Sequence, residues 1–189
     1  MAKRNKTFHK HKEAVMADEK FVEMLKRSAQ EFNTYRDEHP NEEIDLSNAN
    51  LAEVDLRHAR LHRANLTGAY LKRAVLIEAD LTSAKMNHVC LTESRLEQAD
   101  LTEADLTDAS LERTQLTGAY LISARLKGAN LDGAYVRGAN FNSADLTGVK
   151  LSGCDGLYEA NFCYATLEPK AQAVVLAAIA ESFCDPVKK

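Results

Sequence analysis

From Leu46 to Leu151 a large apolar residue stands on every fifth position without a slip. These 22 centres are Leu except at Met86, Val136 and Phe141. Two residues before most of them sits Ala, as in "ANL", "ADL" and "AYL". A period of five is neither that of a helix nor that of a plain strand. It describes a repeat architecture, in which stacked units bury together a face that none could bury alone.

Residues 47–66 show what one unit must do. Ala49 and Leu51 are two apart, so in extended backbone both point to one face while Asn50 points to the other. The next two positions are polar, small or charged, as in Ala52-Glu53, Arg57-His58, Thr67-Gly68 and Asn142-Ser143. They read as a corner facing water. Gly recurs at the second of them, from Gly68 to Gly153, and it tolerates a positive φ at no steric cost. Each pentapeptide is therefore an in-out-in leg followed by a turn.

Legs joined by similar turns close into a polygonal coil. Three extended residues span roughly 10 Å, about the spacing of packed sheets, so a square lets Leu from opposite sides meet without a hole. The small inward position departs from Ala at Ile44, Val54, Val89, Ser94, Thr114, Val149 and Cys154. Of these, 54, 94, 114 and 154 differ by multiples of twenty and would stack in one column if a coil has four legs.

The A(D/N)LXX units, with Asn50, Asn65, Asp80, Asp100, Asp105, Asn130 and Asp145 before Leu and Asn140 before Phe141, resemble the pentapeptide repeat family. The resemblance covers about two thirds of the chain. It implies an all-β fold, the right-handed quadrilateral β-helix, with an N-terminal α-helix and a C-terminal capping α-helix. At about 4.8 Å per coil, six coils make a rod on the order of 30 Å long.

The chain then divides into a basic arm (1–17), a capping helix and lead-in (18–40), the repeat β-helix (41–168) and a C-terminal helix and tail (169–189). Lys3, Arg4, Lys6, Lys10 and Lys12, with His9 and His11, make the arm a solvated tail with no apolar stretch behind it, not a secretory signal. Residues 18–37 are expected as one amphipathic helix on Phe21, Leu25, Phe32 and Tyr35, capped by Asp18 and ended by Pro40. Its task is to cover the open edge of the first coil. Near the other end Gly156 is one residue too many and reads as a bulge at a corner. Pro169 then opens a second helix that turns Val175, Ile179 and Phe183 to one face, widened by Leu176 and Ala180. Since this helix is apolar nearly all round, Val175, Leu176, Ile179 and Phe183 are also the candidate surface of a homodimer joined end to end.

The remaining chemistry points away from an enzyme. Inward positions filled by Leu and Ala leave no cleft for a small-molecule substrate, and no phosphate loop, nucleophile elbow or zinc-helix motif occurs. His58 and His62 lie around a corner, and Cys90, Cys154, Cys163 and Cys184 lack metal-site spacing, so no metal and no cofactor is expected. Unpaired thiols suit a reducing, cytoplasmic setting, and no apolar run approaches the ~20 residues of a membrane span. A net charge of −4 with 28% charged residues gives no reason for direct nucleic-acid binding. The best reading is a scaffold that binds an unidentified protein partner. The alternative, implied by some family members, is a DNA mimic that binds bacterial type II topoisomerase and protects it from quinolones. Mimicry needs a continuous acidic track in place of phosphates. Glu93, Glu97, Asp100, Glu103, Asp105, Asp108 and Glu112 form an acidic cluster and the candidate partner surface, but Arg125, Lys127 and Arg137 interrupt the rod beyond it.

Overall fold

A computed structural model describes residues 17–184. Residues 1–16 of the basic arm lie outside the described residues, as do the side chains of Phe183 and Cys184 and the chain beyond Cys184.

All 22 centres from Leu46 to Leu151 are buried, with the inward Ala ladder between them. The outward residue of each leg pairs in parallel with the residue 20 positions on: Asp45 with Asn65, Asn65 with Lys85, Lys85 with Asp105. With five residues to a leg, that distance closes a coil of four legs. Four faces result. Their outward columns begin Asp45–Asn65–Lys85–Asp105, Asn50–Tyr70–Cys90–Ser110, Asp55–Val75–Arg95–Gln115 and Arg60–Asp80–Asp100–Tyr120. We number the faces one to four in that order.

Corners interrupt the ladder so often that, among the described residues, regular strand is confined to β1 (Asp145–Leu146) and β2 (Thr166–Leu167). Elsewhere the coils are joined by single bridges, and three α-helices among the described residues flank them. The architecture is thus the expected β-helix with α-helices at both ends, but so little of it is regular strand that the all-β class of the sequence reading does not describe it.

Each corner is a tight turn, closed for example by Ala49 N–H on the Leu46 carbonyl at 3.1 Å. The second corner residue is left-handed whether or not it is glycine: φ is 62° at Glu53, 56° at His58 and 55° at Arg113. The sequence pointed to Gly alone. The turn demands the conformation of any residue placed there, and ladder bonds on either side hold it.

Val54, Ser94, Thr114 and Cys154 do share one inner column, behind face three. Its polar members find carbonyls at the corner. Ser94 and Thr114 hydroxyls donate to Leu91 O at 2.6 and 2.8 Å, and Cys154 Sγ lies 3.0 Å from Leu131 O. At Gly156 (φ 81°) the extra residue is absorbed. Beyond it pairing shifts by one, so Asn140 meets Asn161 and Asp145 meets Thr166.

The N-terminal segment is two helices, not one: α1 (Glu19–Arg27) and α2 (Ala29–Glu38). Ser28 is extended between them, and its hydroxyl accepts from Gln30 N and Glu31 N at 3.2 and 3.4 Å. The signal was present as Ser28-x-x-Glu31, the pattern of a fresh helix start. The break lets Phe21 meet Phe32 edge-on at 6.2 Å, and Val22 joins Met24 and Leu25 in the core. Asp18 caps α1 as expected, accepting from Lys20 N at 3.0 Å.

At the other end α3 (Pro169–Cys184) begins at the expected proline. It turns a different stripe to the coil: Ala171 and Val175 are buried and Ala178 packs beside them. Ile179, expected inside with Val175, is instead 36% exposed, and Leu176 is 58% exposed. Small residues let the helix lie close on the last coil, which leaves the larger ones outside.

Candidate interaction surfaces

Much of the outward polarity builds the coil. The Asp or Asn before each centre accepts a hydrogen bond from the backbone N–H two residues on. Thr82 N donates to Asp80 at 3.1 Å, Thr102 N to Asp100 at 2.9 Å, and Asn142 N to Asn140 at 3.0 Å. Short polar side chains favour such turns. At Thr82, Thr107 and Thr147 the hydroxyl adds a second bond to the same carboxylate, as from Thr107 to Asp105 at 2.7 Å.

The seven acids of the candidate partner surface wrap the coil and do not share one side. Asp100 stands mid-face on face four and Asp105 on face one; Glu93, Glu97, Glu103, Asp108 and Glu112 occupy corners. Glu93 pairs with Arg73 at 2.8 Å, Glu97 with Arg95 at 2.9 Å, and Asp105 with Arg125 at 2.8 Å. Glu112 takes hydrogen bonds from Thr92 and Asn130. Among the described residues, Asp100, Glu103 and Asp108 have no such cation. Burial works against ionisation of Asp105, but hydrogen bonds from Arg125, Thr107 and Asn87 outweigh it and hold its carboxyl below the usual range. Bonding to Arg73 does the same for Glu93. Glu53, Arg73, Glu93 and Arg113 alternate in sign up one corner, one coil apart.

The lower edge of the first coil meets α1 and α2 chiefly through Asn33 and Arg36, which the sequence reading did not single out. Asn33 Nδ2 donates to His58 O at 2.9 Å, while its Oδ1 accepts from Arg60 N at 2.8 Å. Asp18 N donates to Asp45 O at 2.9 Å, and the Arg36 guanidinium to His62 O at 3.2 Å. Arg36 also reaches His62 Nε2 at 2.6 Å. A guanidinium can only donate, so Nε2 is the accepting nitrogen of the ring, while Nδ1 lies 3.1 Å from Asp80 Oδ2 without a hydrogen bond to it. Burial pulls the Arg36 guanidinium below its ordinary value, opposed by the Asp80 carboxylate. His62 therefore serves this contact, and His58 faces Glu78 at 3.5 Å around the corner.

Of the four candidate dimer residues on α3, Val175 is turned to the coil, while Leu176 and Ile179 face outward with Val174. The thiols of Cys90, Cys154 and Cys163 are free. Burial pushes the Cys154 thiol up to about 11. No helix among the described residues is long and apolar enough to cross a membrane.

A four-sided solenoid of five-residue legs, with a filled interior and its charged groups outside, defines a class of repeat protein. The family model for pentapeptide repeats matches in 8 copies spread over residues 42–155. The chain belongs to the pentapeptide repeat family, whose solved members have the right-handed quadrilateral β-helix. A pentapeptide repeat protein (Rfr23) from the cyanobacterium Cyanothece 51142 is 27% identical with a TM-score of 0.51, covering 72% of this chain and 97% of its own. The pentapeptide repeat protein alr5209 from Nostoc Pcc 7120 is 34% identical with a TM-score of 0.45, covering 52% and 80%. QnrB1, a plasmid-mediated fluoroquinolone resistance protein, is 16% identical with a TM-score of 0.38, covering 72% and 89%. No curated protein matches the chain.

Proposed function

We propose that the chain is a non-enzymatic scaffold that binds a protein partner along a flat side of its rod, in a reducing, cytoplasmic compartment. One observation carries this reading: every inward position is filled, so recognition is left to the outer faces, each a rigid grid of side chains repeating coil by coil. Among the described residues, Asp100, Glu103 and Asp108 are the acids of the candidate surface that meet no cation and, unlike Glu112, keep at least one carboxylate oxygen outside the bonds from Thr102 N and Ser83. Glu103 and Asp108 stand at the two corners of face one, with Asp100 on the adjoining face four. Affinity capture tests this with wild type beside a Asp100→Asn, Glu103→Gln, Asp108→Asn variant. A partner held by the first and lost by the second supports the reading; equal retention by both removes these acids from it.

Two further assignments belong to this proposal. The α1–α2 pair and α3 act as caps, a role supported by the bonds of Asp18, Asn33 and Arg36 to the first coil. The exposed Leu176 and Ile179 favour a homodimer joined through α3. Sedimentation at micromolar protein should give twice 20.9 kDa, and Leu176→Asp should return the single chain. The topoisomerase reading gains little, because cross-coil arginines neutralise the acids that a phosphate-like track would need. A supercoiling assay should show no inhibition.

A further inference from the structure

The rod ends unevenly. In every lower coil of face two, the centre and second corner residue donate N–H upward, and the small inward residue accepts from above. Thus Leu131 N meets Lys150 O at 3.0 Å, Gly133 N meets Ser152 O at 2.8 Å, and Lys150 N meets Ala129 O at 3.1 Å. One coil higher the equivalent groups are Leu151 N, Gly153 N and Val149 O. None of them meets a hydrogen-bond partner among the described residues, because α3 leaves the coil at Pro169 and crosses toward the 3₁₀ turn Leu157–Glu159. Between this bare edge and the start of α3 lies a groove of about 650 Å³, floored by Val149 and Leu151 and walled by Ala171 and Val174.

We propose that this edge docks an extended acidic peptide, which joins the rod as one more leg. Strand addition of this kind takes its affinity from main-chain bonds and its selectivity from alternate side chains. The three open groups fix the direction, parallel to the leg below. They also fix the register: the peptide residue above Lys150 donates to Val149 O, its carbonyl accepts from Leu151 N, and the carbonyl two residues on accepts from Gly153 N. That residue points outward, beside Lys150 and within reach of Lys170, both exposed. Glu168 and Asp132 are the opposing charges, but Asp132 is held a corner away, where it accepts from Ser152 N at 2.8 Å, and Lys150 is the charge directly beneath the outward place. An acid therefore fits the outward place. Its two neighbours face the apolar groove, where a small residue and a Leu fill the space against Ala171 and Val174. The site selects the chemistry of the chain's own "ADL" unit, offered by another polypeptide. It lies at the end of the rod, apart from its flat sides, so its failure would leave the scaffold reading standing.

The test uses the full chain and a blocked synthetic peptide with the sequence of residues 99–108, ADLTEADLTD. Titration should shift the amide resonances of Leu151 and Gly153 in the NMR spectrum. N-methylation of both peptide Asp nitrogens that precede Leu should weaken binding about tenfold, the loss of a main-chain bond. Lys150→Glu should weaken it about fivefold without changing the fold. Unmoved Leu151 and Gly153 amides at millimolar peptide would overturn the proposal, as would equal binding of the N-methylated peptide. So would amides already protected in the free protein and released by Leu176→Asp, because a second copy would then cover the edge.

Discussion

Asn33 of α2 stands where a lower coil would supply its backbone to Arg60: its Oδ1 takes the Arg60 N–H at 2.8 Å. One coil up, the equivalent Asp80 N–H is taken by Ala59 O at 3.0 Å. The amide of a helical side chain thus imitates a strand. Asn33→Leu should cost about 1–3 kcal/mol, since Arg60 N–H loses its acceptor in a closed place. Asn33→Asp keeps that acceptor but turns a carboxylate oxygen to the His58 carbonyl in place of a donor at 2.9 Å, and should cost at least as much at neutral pH. Urea unfolding checks both variants against wild type, and an unchanged midpoint in either would remove Asn33 from the edge.

The inward assignment is checked by neighbours of opposite kind. Leu101 is buried mid-rod, while Thr102 starts a corner and is partly open. Burying a Leu is worth roughly 1.5–3 kcal/mol, and a charge in its place costs several more. Leu101→Asp should leave no folded soluble protein. Thr102→Asp should melt within a few degrees of wild type by circular dichroism.

Two glycines with similar φ separate strain from collision. A Cβ on Gly156 would lie 2.7 Å from both Cα and N of Arg137, backbone atoms that cannot step aside, whereas one on Gly138 meets nothing within 4 Å. Gly138→Ala should cost about 1 kcal/mol, the left-handed penalty alone. Gly156→Ala should cost severalfold more and loosen the bridge from Asn140 to Asn161. Melting temperatures test the ratio, and equal losses would deny the bulge its steric reason.

Asp105 gives the rod an acid limit. Its carboxyl is held below the usual range in the folded state, so below about pH 4 the unfolded chain binds the proton first. The stabilisation is complete above that value and is lost as pH falls toward the folded one. Asp105→Asn retains an acceptor for Thr107 N but not the charge beside Arg125. Its unfolding free energy should therefore fall less steeply than wild type between pH 4 and pH 2.

The coil was legible in the sequence because one rule, burial of every fifth residue, is repeated without exception from Leu46 to Leu151. Four legs per coil showed through Val54, Ser94, Thr114 and Cys154, which share a column. The ends were less legible because each is built once. Ser28 breaks a helix whose apolar spacing runs on across it, and the contacts of Asn33 and Arg36 depend on a crossing angle that no local pattern records. On α3, periodicity marked an apolar helix but could not choose between the Val175–Ile179 stripe and the smaller Ala171–Val175 stripe that lies on the coil. The acidic cluster misled for a plainer reason. Residues close in sequence are carried round all four sides within 20 positions, so Glu93 lies nearer to Arg73 than to Asp100 in function.

The same 20-residue closure sets the grain of any change in length. Removing or duplicating one whole coil would leave every column, ladder and inner row continuous, and both end helices would keep their bearing on one another. Removing a single pentapeptide would spare the core just as well, yet it would swing everything above the cut by a quarter turn. A lineage of such chains can therefore grow smoothly in steps of four units. Between those steps it can rotate one end of the molecule against the other while leaving the interior almost untouched.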